Sequence, residues 1–238
     1  ERYAYLYQGN YNFNLDNSVV FGIEREDDQM GLNNNAGGRV DSNAYVTSQF
    51  FDYQSRITNN IYGTIGARFD EHSLAGGTGS NEDSHRATLA YVFDDKNTKL
   101  KSSYGTGYRF PSLFEMKYAY RAGSNTLPFV KAETSQSYDF GIEKSISPNL
   151  FIDLTYFNVK YFNALEGWKS NTAGGTSSTQ NTIATVKSQG IELMSKYKLN
   201  EFFNFGLNYT YTSSYDGADE DNLSGPDSGS QMVRVHRN

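Results

Sequence analysis

The sequence contains no cysteine, and only 4 proline, 3 histidine and 1 tryptophan residues among its 238. Without cysteine there is no disulfide and no thiolate for catalysis or metal binding. The motifs HExxH, CxxC and GxSxG are absent, so metal-dependent hydrolysis and nucleophilic catalysis lack a supporting constellation. No run of 18 apolar residues occurs, which excludes a hydrophobic membrane-spanning helix. We therefore expect neither an enzyme nor a bound cofactor or catalytic metal.

Aromatic residues and glycine are abundant, with 19 Tyr, 16 Phe and 22 Gly, although the mean hydropathy is only −0.66. A transmembrane β-barrel turns only alternate residues towards lipid, so its mean hydropathy is low despite its membrane location. The net charge of −6 argues against a nucleic-acid partner, because phosphate-binding domains are usually basic. Acidic pairs and triplets at 27–28 and 219–221 could bind calcium, although a solvated acidic loop is the simpler interpretation.

Ten segments alternate apolar and polar residues with period two, which predicts half-buried strands. The clearest are 61–70, 86–93, 137–144 and 203–212. The others lie near 2–15, 18–27, 43–53, 98–108, 150–162 and 182–198. Most are as long as the roughly 9–11 residues that a tilted strand needs to cross a bilayer, whereas soluble strands average about 5–6.

Short and long connections alternate along the chain. The long ones, at 28–42, 73–83, 109–132, 163–181 and 216–231, are rich in Gly, Asn, Ser and Asp, as solvated loops are. Outer-membrane barrels have short periplasmic turns and long extracellular loops. The pattern therefore predicts an all-β fold, a transmembrane antiparallel up-and-down β-barrel. A soluble β-sandwich or a β-rich adhesin is the alternative.

The stretch YGTGYRFPSLFEM, residues 104–116, begins as a strand and then breaks the alternation at Arg109, Phe110 and Pro111. Proline has no backbone donor for a ladder, so it ends the strand. The apolar-aromatic residues behind it fit neither a strand nor a core helix. We interpret them as the start of the longest loop.

Several segments resemble, in order, the TonB-dependent outer-membrane receptors. GTGYRFPSLFE at 105–115 is similar to that family's G-x-x-F-R-A-P-S-L-x-E element. The Asn-Pro element that follows it in the family is degraded here at 124–128. The remaining similar segments are 138–143, 151–164, 187–193, 207–212 and, without its proline, 232–237.

The resemblance implies a barrel of about 22 strands with an N-terminal plug. Residues 1–238 would form about ten middle strands, with the plug and the closing strands outside the chain. Such a receptor, in the outer membrane of a Gram-negative bacterium, imports cobalamin or a ferric siderophore with energy from the inner-membrane TonB complex. Residues 109–131 contain no histidine, which disfavours haem as the ligand. A passive porin-like channel and a barrel adhesin or enzyme are the alternative functions.

The candidate ligand contacts are two lumen-facing arginines, Arg68 and Arg109, and a set of loop residues. That set consists of Phe114, Tyr118, Tyr120, Arg121 and Trp168. An open sheet of about ten strands leaves two edges unpaired, so we expect the isolated chain to aggregate.

Overall fold

The computed structural model describes residues 1–33, 39–74, 79–120, 130–170, 177–181 and 185–216. Ten strands form the main sheet: β1 (Arg2–Asn12), β2 (Asn17–Asn33), β3 (Arg39–Arg56), β4 (Ile61–Leu74), β5 (Ser80–Val92), β6 (Thr98–Arg109), β7 (Glu133–Ser147), β8 (Leu150–Phe162), β11 (Val186–Lys198) and β12 (Asn204–Asp216). The helix α1 (Leu113–Tyr120) follows β6, and a hairpin of β9 (Leu165–Ser170) and β10 (Ser177–Asn181) follows β8. Among the described residues, no helix has the length and apolar character needed to cross a membrane.

Every strand of the main sheet pairs antiparallel with its neighbour, in the order β1 to β8, then β11 and β12. The predicted all-β up-and-down topology and its ten strands are confirmed. Tight turns at 13–16, 57–60, 93–97, 148–149 and 199–203 lie at one end of the sheet, which we call the turn end. The described parts of the segments that follow β6 and β8, residues 110–120, 130–132, 163–170, 177–181 and 185, lie at the other end, which we call the loop end.

The register places one solvent-exposed apolar side chain from each strand on the same side, which we call the apolar face. A representative set is Tyr7, Phe21, Phe51, Ile65, Leu89, Tyr104, Phe140, Tyr156, Ile191 and Tyr211. From Phe203, just before β12, to Tyr211 within it, this face extends about 27 Å along the strand direction. With a tilt of about 40°, that length covers roughly 21 Å of membrane depth, close to the apolar band of an outer-membrane barrel. The period-two alternation predicted for 61–70, 86–93, 137–144 and 203–212 is confirmed, because Ile65, Leu89, Phe140 and Tyr211 all lie on the apolar face.

The opposite side, the polar face, is connected by ion pairs that cross glycines. Lys101 Nζ reaches Asp153 Oδ2 at 2.7 Å by passing over Gly141, which lies between their strands. Arg86 Nη2 reaches Asp52 Oδ2 at 2.5 Å, with Gly66 between them in the same way. Because glycine has no side chain, a glycine in the middle strand leaves room for a long cationic side chain to cross that strand and reach the strand beyond it.

Buried apolar side chains lie at the loop end of the described chain. They are Ala44, Val130, Ala132, Leu165 and Val186, and Val130 packs with Leu165. A sheet with one face towards lipid and one towards a polar lumen has no apolar interior along most of its length. The small core therefore lies at the loop end, where loop segments cover the strand ends. We also call this region the mouth.

The expectations about four connections were wrong. β2 and β3 are paired from Asn17–Ser55 to Asn33–Arg39, so the predicted loop 28–42 is mostly strand. β4 and β5 likewise leave only 75–79 of the predicted loop 73–83 between them. The predicted loops 109–132 and 163–181 contain α1 and the β9–β10 hairpin. Hairpins that extend beyond the membrane no longer need an apolar face, so their alternation fades while their ladder continues.

We predict that Gly141→Ala destabilises the protein by about 1–3 kcal/mol, the usual cost of overpacking. A Cβ at this position would lie 2.6 Å from Thr155 Oγ1, 2.7 Å from Lys101 Cε and 3.1 Å from the Leu154 carbonyl oxygen. The matched control is Gly206→Ala, because a Cβ there meets nothing within 4 Å. Thermal unfolding of the full-length protein in detergent measures both variants, and equal midpoints would contradict the crossing arrangement.

Candidate functional site at the loop end

The helix α1 begins at a capping box that follows the strand-ending proline. Ser112 Oγ accepts a hydrogen bond from the Glu115 backbone N–H at 3.2 Å, and Glu115 Oε2 accepts one from the Ser112 N–H at 2.7 Å. This reciprocal pair satisfies two backbone donors that a helix start leaves unpaired. The S-x-x-E spacing was visible in the sequence and could have predicted this helix.

Arg109, the last residue of β6, joins three other segments. Its Nη1 and Nη2 donate to the two oxygens of Glu115 at 3.0 and 3.1 Å, and its Nε donates to Glu133 Oε2 at 2.5 Å. Glu133 Oε1 in turn accepts the backbone N–H of Leu165 at 2.5 Å. We call these four residues the Arg109 clamp. The clamp connects the end of β6 to α1, to the start of β7 and to the start of β9.

The charge state of Glu115 is coupled to the clamp. Burial alone would raise the pKa of this carboxyl group. The hydrogen bonds from Arg109 and Ser112 oppose burial and outweigh it, so the pKa lies below its ordinary value. Glu115 is therefore ionised at neutral pH and holds the guanidinium in a bidentate pair.

Phe110 directs the chain behind β6 over the polar face. Its ring stacks on the imidazole of His72 in β4, with centroids 4.5 Å apart and planes 17° from parallel. Tyr108 packs against the same phenyl ring at 5.4 Å. Further along, the backbone of α1 lies beside β10 and approaches β3. The segment from Phe110 to the end of α1 therefore covers part of the loop end of the sheet.

Arg68 braces three strands below this segment. Its Nη2 donates to Glu24 Oε2 at 2.8 Å and to Ser48 Oγ at 2.7 Å, and its Nε donates to Asp70 Oδ1 at 2.9 Å. Ser48 is fully buried and Asp70 nearly so. The Tyr108 hydroxyl is buried beside Asp70 and Arg68. Arg68 thus connects β2, β3 and β4 through charge-assisted hydrogen bonds.

The predicted site residues have different positions. Arg68 and Arg109 lie on the polar face, and both are bound to carboxylates. Phe114 lies on α1 with 40% of its surface exposed. Tyr118 and Tyr120 also belong to α1, and Trp168 belongs to β9, but the side chains of these three lie outside the described part of the chain. Arg121 lies wholly outside the described residues.

The sequence interpretation missed Glu115, Glu133, His72 and Phe110, which complete the loop-end contacts. Tyr108 also lies at this end of the sheet, half-buried against Phe110.

The polar face is acidic near the loop end of β1 to β5. Among the described side chains there, the carboxylates are Glu24, Glu26, Asp28, Asp70 and Glu82, and the guanidinium groups are those of Arg2 and Arg68. Arg2 pairs with Asp28 at 2.6 Å, and Arg68 pairs with Asp70. The excess of carboxylates makes the potential on this part of the wall negative.

An exposed apolar face opposite a polar, ion-paired face is the wall of an outer-membrane β-barrel. Residues 1–238 match the family described as TonB dependent receptor-like, beta-barrel. The chain therefore belongs to the TonB-dependent receptors, a family of transporters rather than enzymes in the Gram-negative outer membrane. A search of curated proteins gave no match.

Solved structures of similar fold include two receptors and one transporter. The siderophore receptor PirA of Pseudomonas aeruginosa superposes with a TM-score of 0.73 at 18% identity, covering 90% of this chain and 40% of that one. A mutant of the ferric enterobactin receptor PfeA of the same species, in complex with enterobactin, gives 0.73 at 20% identity, covering 90% and 36%. The copper transporter OprC gives 0.71 at 14% identity, covering 88% and 37%. At these identities the similarity shows the fold, and the chain spans about two fifths of their length or less.

We predict that Arg109→Gln lowers the local stability of α1. Losing a charge-assisted bidentate pair costs about 1–3 kcal/mol, with a value near the lower limit expected because the Arg109 side chain is 49% exposed. Hydrogen–deuterium exchange of the full-length protein should show faster exchange at 112–120. Arg86→Gln is the control, because its partner Asp52 lies in the wall and outside the clamp. Equal protection of α1 in both variants would exclude the clamp as its anchor.

The clamp also predicts a pH dependence. The pKa of Glu115 is lower in the folded protein than in the unfolded chain, so its contribution is complete above the unfolded value, about 4.3. That contribution is lost as the pH falls through the lowered folded value. Exchange at α1, corrected for the intrinsic rate, should therefore rise as the pH falls below about 4. Glu115→Gln should exchange faster at neutral pH and lack this step; an unchanged step in that variant would contradict the assignment.

Proposed function

We propose that this chain forms part of the wall and mouth of an active importer that takes up a ferric siderophore with energy from TonB. The Arg109 clamp is the observation that carries the proposal. It fixes a helix and a hairpin where the loop end opens onto the polar face. A segment held across a wide lumen provides a surface for capturing a large ligand that cannot diffuse through a porin.

The same segment argues against the passive-channel alternative. Free diffusion needs an open lumen, whereas Phe110 is stacked on His72 and α1 approaches β3. Both contacts place this segment over the polar face at the loop end. In a closed barrel a segment held there would obstruct free passage, which favours a receptor that binds first and transports later.

Two of the similar structures support a siderophore as the cargo, because one is a siderophore receptor and the other is a ferric enterobactin receptor. Cobalamin remains the alternative cargo. The proposed contacts are Phe114, Tyr118, Tyr120, Arg121 and Trp168, which are aromatic residues and one cation in the sequence segments that follow β6 and β8. Arg68 and Arg109 act in this proposal as positioning residues, because carboxylates occupy their donors.

The acidic part of the wall refines the class of chelate. Negative potential raises the local concentration of cations and lowers that of anions. A ferric hydroxamate is neutral or positively charged, whereas a ferric tris-catecholate carries three negative charges. We therefore expect a hydroxamate-type chelate to be the better ligand.

We predict that the full-length receptor binds a ferric trihydroxamate at least about tenfold more tightly than a ferric tris-catecholate at low salt. The difference between the two affinities should become smaller at about 1 M salt, where the Debye length falls to about 3 Å. Calorimetric titration with both chelates and with cobalamin measures this. Tighter binding of the catecholate would reject the charge argument, and binding of cobalamin alone would replace the siderophore.

Uptake of radioactive iron in cells separates the importer from the channel. Transport of the bound chelate should stop when TonB is deleted. Uptake that continues unchanged without TonB would overturn active import, whichever ligand is bound.

A further inference from the structure

Two lysines face each other on the apolar face near the loop end. Lys160 in β8 and Lys187 in β11 are direct cross-strand partners. They share the side that carries Tyr156 and Ile191, and therefore point away from the lumen. We propose that the two ammonium groups bind the phosphate of a lipid headgroup in the outer leaflet. The inference rests on the fold and does not depend on the transported ligand.

The lysines need an anion to compensate their repulsion. Directly opposed residues have Cβ atoms about 4.5–5.5 Å apart, and like charges at such positions destabilise a sheet. Their described neighbours on this face are uncharged: Gln136 is the β7 partner of Lys160, and Tyr215 is the β12 partner of Lys187. Among the described side chains, neither lysine belongs to an ion pair. A phosphate between them would supply the missing charge.

A second observation lies one position closer to the membrane. Asn158 is 8% exposed, and its Oδ1 is buried without a hydrogen-bond partner among the described residues. Its Nδ2 donates to Gln189 Oε1 at 3.2 Å, and the Tyr156 hydroxyl donates to the same oxygen at 3.2 Å. A buried acceptor without a donor is unfavourable. The Asn158 amide and the Tyr156 hydroxyl therefore form a polar, hydrogen-bonded layer directly below the two lysines.

The height of the lysines matches the headgroup layer. Exposed tyrosines on this face lie at Tyr138 and Tyr156 and continue on β12 to Tyr215, the cross-strand partner of Lys187, and interfacial tyrosines mark the edge of the hydrocarbon. Lys160 lies four residues beyond Tyr156, about 13 Å along the strand and roughly 10 Å in depth. Long loops are extracellular in this family of barrels, so this layer belongs to the outer leaflet. The Lys187 ammonium lies over the Tyr215 ring at 5.6 Å, which keeps it at the membrane surface.

The test uses the full-length receptor, delipidated in detergent. The probes are diphosphorylated lipid A, the same glycolipid without phosphates, and inorganic phosphate. Native mass spectrometry measures binding, and thermal unfolding measures stabilisation. Lys160→Gln with Lys187→Gln should weaken binding of the diphosphorylated lipid by at least about tenfold. Lys198→Gln, at the turn end of the same strand β11, is the charge-matched control and should bind like wild type.

A single variant gives a second readout, because removing one lysine relieves the repulsion but weakens lipid binding. Without lipid, Lys160→Gln should be at least as stable as wild type. With diphosphorylated lipid A it should gain less stability than wild type. Equal lipid binding by the double variant and wild type, or equal binding of the dephosphorylated glycolipid, would overturn the proposal. Equal stabilisation by inorganic phosphate at the same concentration would assign the site to a free anion and would also overturn it.

Discussion

Backbone hydrogen bonding in hydrocarbon is the constraint on which the rest of this structure depends. No water is available to an unpaired N–H or C=O in the membrane, so the ladder must be continuous through that layer. Ladder pairing in turn fixes the register, and the register separates the apolar face from the polar face. The ladder between β5 and β6 stops at Arg86 and Gly105, just above Tyr104 on the apolar face. Beyond that point the His85 N–H donates to the Thr106 hydroxyl instead. Between β5 and β6, a side-chain hydrogen bond thus replaces the ladder above the apolar band.

The same constraint decides what stabilises the wall from inside. A polar face towards a lumen cannot use apolar burial, so charge-assisted hydrogen bonds hold neighbouring strands together. Lys101 and Arg86 each reach across an entire strand, and glycines at 141 and 66 leave the space for them. Apolar packing returns at the mouth, where Val130 contacts Leu165. The mouth is therefore the part of the described chain that is built most like a soluble domain.

This division explains what the sequence could predict. Period-two alternation is local and follows directly from facing lipid, so the ten strands and their faces were predictable. The hairpin ends of β2 and β3 have no lipid to face, and their Asn-rich, Gly-rich residues resembled a loop. A helix of only eight residues carries little pattern, although Ser112 and Glu115 marked its start. The contacts of Arg109 with Glu133 and of His72 with Phe110 join positions 24 and 38 residues apart. Such contacts follow from the register of the sheet, which no local pattern contains.

The two predicted arginines show how structure changes the meaning of a residue type. An arginine in a lumen suggests a ligand contact, but Arg109 donates from all three nitrogens to carboxylates, and Arg68 donates from two. Releasing either group to a ligand would leave carboxylates partly buried without partners, which is costly. Recognition would therefore fall to side chains on the segments that the clamp holds, such as Phe114. Fixing those segments before the ligand arrives lowers the ordering cost of binding. The arginines would then contribute to affinity through the rigidity of the mouth.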